Sequence, residues 1–65
     1  MSGLVALKIA RQMNKRSDFV RRGFSTKHAE MSYFAGYLAS LEDMNLITRD
    51  EYQMFHAEFS RMIIE

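Results

Sequence analysis

Residues 45–52, Asn-Leu-Ile-Thr-Arg-Asp-Glu-Tyr, constrain the fold of this chain more than any other stretch. Thr48 stands where a helix N-cap is needed, and Glu51, three residues on, can return the hydrogen bond in a capping box. Ile47 precedes the cap and Tyr52 follows it at the spacing of a hydrophobic staple. Asn45 comes just after Met44, the last residue of an apolar periodic run. Asparagine is one of the few non-glycine residues that tolerates the left-handed position at a helix C-terminus. Four local signals therefore place a tight turn between two helices.

The periodicity on either side of the turn predicts helices over 26–44 and 49–64, paired as an antiparallel hairpin. Ser25 or Thr26 caps the first of them. On that helix Met31, Tyr33, Phe34, Tyr37, Leu38, Leu41 and Met44 spread over roughly 160° of the wheel. One neighbour cannot cover so broad a face, so this helix needs at least two partners. Ser32, Gly36 and Ser40 line its other side, as a groove for a second backbone or as plain solvent face. The last helix carries a narrower stripe of Tyr52, Phe55, Phe59, Met62 and Ile63. Met54 falls on its polar side, where a second chain could cover it.

Before the hairpin, Ser2 can cap a helix starting near Gly3. Val5, Ile9, Met13 and Val20 share one face, with Lys8, Arg11 and Lys15 opposite. The stretch from Asn14 to Asp18 weakens the helical pattern, so this helix spans 3–15 or 3–22. Gly23 closes it in either case. The fold class is all-α: a single domain of 1–65, with a basic N-terminal segment at 1–25 and a hairpin core at 26–64.

A chain of 65 residues buries a small core and has little stability to spare. Disulfides, metals or partner subunits usually supply what is missing. There is no cysteine, which excludes disulfides and cysteine-based zinc sites. The two histidines, His28 and His56, are too distant in sequence to suggest a metal set. His28 belongs to a first helical turn and should be exposed. His56 borders the aromatic stripe, as a pH-sensitive group or an ordinary rim residue. No cofactor is implied. Self-association remains, and a homodimeric helical bundle closed through the aromatic faces is the expectation. The residues expected in core or interface are Phe34, Tyr37, Leu38, Leu41, Ile47, Tyr52, Phe55, Phe59 and Met62.

No apolar run reaches the ~20 residues of a membrane span. Leu4 to Leu7 is cut short by Lys8, so it does not read as a secretory signal. With no cysteine, the cytoplasm is the expected location.

The net charge of +1 hides a strong asymmetry. The first 27 residues hold Lys8, Arg11, Lys15, Arg16, Arg21, Arg22 and Lys27 against Asp18 alone. The remainder is acidic. Lys8, Arg11, Lys15, Arg16, Arg21 and Arg22 are thus candidates for contact with nucleic acid or an acidic partner. They could equally face the acidic half of the molecule. Glu42 and Asp43 sit near a helix C-terminus, where the dipole disfavours them. They either meet basic residues of the first helix or form a solvated acidic cluster.

Catalytic motifs are missing: there is no glycine-rich phosphate loop, no HExxH and no nucleophile signature. The chain reads as non-enzymatic. From Leu38-x-x-Leu41 through Asn45-Leu46-Ile47-Thr48-x-x-Glu51-Tyr52 it resembles the helical-hairpin modules called SHOCT domains. Asn45 stands where that family usually has glycine, and the family's lysine-rich ending is absent. This resemblance implies an oligomerisation or docking hairpin. The whole chain is also similar to the small early-region proteins of lambdoid phages encoded between exo and xis. That resemblance rests on the basic opening, Met-Asn-Lys-Arg at 13–16, and the acidic aromatic hairpin. It implies a regulator of host or phage development in the host cytoplasm, acting on an unknown host or phage protein. The alternative is a nucleic-acid-binding accessory protein.

Overall fold

Ser2 starts the first helix by accepting a hydrogen bond from the Val5 N–H at 3.2 Å. In the computed structural model, which describes residues 1–64, this helix, α1, spans Gly3–Arg21. It therefore runs through the weak stretch to the later of the two expected ends. Three local interactions carry it across. The Ser17 hydroxyl donates back to the Asn14 carbonyl at 3.1 Å, and Asp18 pairs with Arg22 at 3.0 Å and Arg21 at 3.6 Å. These pairs are one helical turn apart and lie at the C-terminal end, where the dipole favours cations.

The second helix, α2, spans Lys27–Asp43, capped by Thr26, whose hydroxyl accepts from the Ala29 N–H at 3.1 Å. The third, α3, spans Arg49–Ile64. Its capping box is closed in both directions. The Glu51 N–H donates to Thr48 Oγ1 at 3.1 Å, and the Thr48 N–H donates to Glu51 Oε1 at 2.8 Å.

Both connections use the same backbone device. Gly23 and Asn45 take positive φ, +76° and +60°. At the first turn the Gly23 and Phe24 N–H groups donate to the carbonyls of Val20 and Phe19. At the second, Asn45 and Leu46 donate to those of Glu42 and Leu41. These are paired Schellman closures, which satisfy the last carbonyls of each helix.

The result is an all-α three-helix bundle in which each helix contacts the other two. α1 contributes Ile9 and Met13 to the core, α2 contributes Phe34, Leu38 and Leu41, and α3 contributes Phe59 and Ile63. Ile47 seals the second turn. Phe34 and Phe59 stack at the centre with ring centroids 4.5 Å apart. The two partners that α2 requires are α1 and α3 of the same chain.

Four residues of the expected core, Tyr37, Tyr52, Phe55 and Met62, are half-buried and pack against this cluster rather than within it. Tyr33 and Met44, which share the α2 apolar arc, are exposed. Phe34, Leu38 and Phe59 are sealed inside one chain, so a second copy cannot reach them. Any association through aromatic residues must use those that remain at the surface. Among the described residues, no helix is long and apolar enough to cross a membrane.

Candidate interaction surface

The six cations of the N-terminal third do not act as a group. Arg16 turns inward. Its guanidinium lies 3.4 Å from Glu30 Oε1 and 3.7 Å from the centre of the Tyr33 ring, with the Phe19 ring 5.3 Å away. Glu30 is 5% exposed and accepts a second bond, 2.6 Å long, from the Ser25 hydroxyl. Burying a carboxylate is costly unless it is paired and hydrogen-bonded in this way. Arg16 is therefore a strut between α1 and α2, withdrawn from external contact. Arg21 and Arg22 share Asp18. Lys8, Arg11 and Lys15 are exposed on α1 and make no ion pair among the described residues.

The acidic pair finds its contact elsewhere than on α1. Glu42 pairs with Arg49 at 3.0 Å, across the second turn, and Arg49 also lies over the Tyr52 ring at 4.8 Å. Asp43 is exposed. His28 is exposed, and His56 is half-buried, its ring stacked on Tyr52 with 8° between planes. Ser32, Gly36 and Ser40 face solvent, and a Cβ added to Gly36 would meet nothing within 4 Å. Among the described residues, no backbone comes close to α2 at Gly36. Met54 is likewise exposed.

The feature that sequence reasoning missed lies along the outer seam between α1 and α2. At one end Leu4, Val5 and Lys8 of α1 and Tyr37, Leu41 and Met44 of α2, together with Ser2 and Leu46, enclose a groove of about 510 Å³. Its apolar walls stand open: Leu4 is 63% exposed and Met44 57%. Tyr37 leads from the groove toward Tyr33. Burial, and to a lesser degree the neighbouring Tyr33, raise the Tyr37 phenol above its ordinary pKa of 10.0. Tyr33 carries Arg16 on its ring, Arg16 touches Phe19, and Phe19 meets Phe24 edge-on at 6.3 Å. Phe24, 71% exposed, ends the series.

An apolar and aromatic band, crossed at one point by the Arg16 guanidinium, thus follows the α1–α2 seam from Leu46 to Phe24. It takes in Leu4, Phe24, Tyr33, Met44 and Leu46, a majority of the large apolar side chains exposed among the described residues. Apolar side chains scattered singly over a surface mean little, whereas a contiguous row marks contact with another molecule. The sequence signal for it was present in the breadth of the α2 arc, which exceeds what two neighbours bury.

Comparison with known proteins assigns no relative. The chain matches no family model, and no curated protein or solved structure shows significant similarity to it.

Proposed function

We propose that the protein is a small non-enzymatic interaction module that acts by protein–protein contacts, through the band on the α1–α2 seam. α2 and α3 serve as an antiparallel hairpin that holds this face rigid, and the module works as a homodimer. A regulatory role of the kind carried by phage early-region proteins fits a chain that offers a docking face. The observation that carries the reading is the row of exposed Leu46, Met44, Leu4, Tyr33 and Phe24, linked through half-buried Tyr37 and Phe19 and crossed by Arg16, on a bundle whose own core is already closed. Affinity capture with the tagged full chain tests it, using Leu4→Asp and Met44→Asp as controls. Both positions are exposed, so the variants keep the fold. The expected result is a set of copurifying proteins that both variants lose, because those proteins bind the dimer that this face assembles. Capture unchanged by either substitution overturns the reading.

A second reading, nucleic-acid binding, is favoured by Lys8, Arg11 and Lys15. They stand exposed along one face of α1 at a spacing that can follow a row of phosphates. Gel-shift titration across a salt series decides it. Binding that weakens steeply with salt supports it, and no shift at low salt removes it.

A further inference from the structure

We infer that the α1–α2 band is covered by a second copy of this chain, laid antiparallel to the first across a two-fold axis. The inference rests on the interaction-module reading and names the occupant of its face. Three observations carry it.

The first is the distribution of apolar surface. The band has exposed groups at both ends: Leu4, Met44 and Leu46 at one, Tyr33 and Phe24 at the other. A two-fold axis at its middle sets each group on the other, so one patch serves both copies, as a closed dimer requires.

The second is charge. Near Phe24 the surface holds Lys15, Arg21, Arg22 and Lys27, with half-buried Asp18 beside them. Around the second turn it holds Glu42, Asp43, Asp50 and Glu51 against Arg49, the N-terminal amine and Lys8, which leaves a slight acidic excess. The molecule is therefore basic at the Phe24 end and acidic at the Leu46 end. Antiparallel copies bring unlike ends together, whereas parallel copies stack like on like.

The third is size. The molecule measures 33 × 18 × 16 Å. Its long face projects about 600 Å², the low end of what each partner buries in a stable interface, roughly 600–1,000 Å². The band runs nearly the full length of that face. A partner helix alone would cover less of it.

Sedimentation equilibrium of the full chain tests the inference. The wild-type protein should sediment at twice its 7.6 kDa at high concentration. Leu4→Asp and Phe24→Asp, at opposite ends of the band, should each weaken the dimer at least tenfold, with helical circular dichroism unchanged. Added salt, at ~0.5 M, should also weaken it, because unlike ends attract across the interface. Salt that strengthens the dimer overturns the antiparallel arrangement. So does a dimer indifferent to Phe24→Asp. A wild-type chain still monomeric at about 1 mM overturns the second copy as occupant. If Leu4-dependent capture of other proteins persists in that case, the interaction-module reading stands without the dimer. If capture fails as well, both fall.

Discussion

The two turns of this bundle share a backbone and differ in what holds them down. Each closes a helix with a positive-φ residue, Gly23 or Asn45, and opens the next with a threonine cap three residues later, Thr26 or Thr48. The second turn is closed locally by Glu51 in the capping box and is anchored to the core by its own Ile47. The first has no buried apolar residue between its helices. It is secured by Ser25 on Glu30 and by Arg16, fourteen residues away on another helix. A local device fixes a turn wherever it occurs, whereas the Arg16–Glu30 strut works only once α1 and α2 have met. The first turn should therefore depend on tertiary structure for its order far more than the second.

The largest effect expected from breaking this contrast is at Ile47. Ile47→Ala removes a buried side chain and should cost ~3–4 kcal/mol in denaturant unfolding. Arg16→Ala comes next, at about 3 kcal/mol, because it leaves the Glu30 charge buried without its counterion. Replacing both residues sharpens the point: Arg16→Met with Glu30→Leu should recover most of that loss, since a buried ion pair adds little over a well-packed apolar pair. A double variant as unstable as Arg16→Ala would mean that the strut specifies the turn and does more than satisfy its own charges.

The positive-φ residues should respond in opposite directions. Gly23→Ala forces an L side chain into the left-handed region and should cost ~1–2 kcal/mol. Asn45→Gly relieves the same strain and should gain a few tenths of a kcal/mol, up to about 1, in thermal melts. The smallest effect concerns pH. The Tyr37 phenol titrates higher in the folded chain than in the unfolded one. The folded state thus holds its proton longer, and the stabilisation is full below the ordinary value of 10.0. It is lost as pH rises past that value through the folded pKa. Melts between pH 8 and about 11 should show a decline that Tyr37→Phe reduces.

Whatever depended on nearby residues could be read from the chain. The capping box, the Asn45 turn and the start of α3 at Arg49 follow from eight consecutive residues. The far end of α1 could not be read, because Asn14, Ser17 and Asp18 lack helix propensity and are held by Ser17–Asn14 and Asp18–Arg22 bonds that form within the helix itself. Polarity concealed burial in two places. Ser17 extends the Val5–Ile9–Met13 face by one turn and is 1% exposed, and Glu30 is as buried as Ile47. Both are polar residues satisfied by specific partners, a geometry that no periodicity reveals. For Arg16 the charge asymmetry left two partners open, an outer one or the acidic half of the molecule, and only the packing of α1 on α2 selects Glu30. The seam band emerged only when α1 was placed beside α2, because Leu4 and Met44 are distant in sequence.

Which molecule covers that band matters most, and an interchain distance measurement tests it directly. The chain contains no cysteine, so Lys8→Cys, at the groove end of the seam, gives a single site for a nitroxide label. Labelled chains would be mixed with unlabelled, nitrogen-15-enriched ones and the amide spectra of the latter recorded. The account expects broadening at Phe24 and Tyr33 of the unlabelled chain, with its residues near Leu4 spared. Broadening confined to the Leu4 and Met44 region, or none at all, would contradict it.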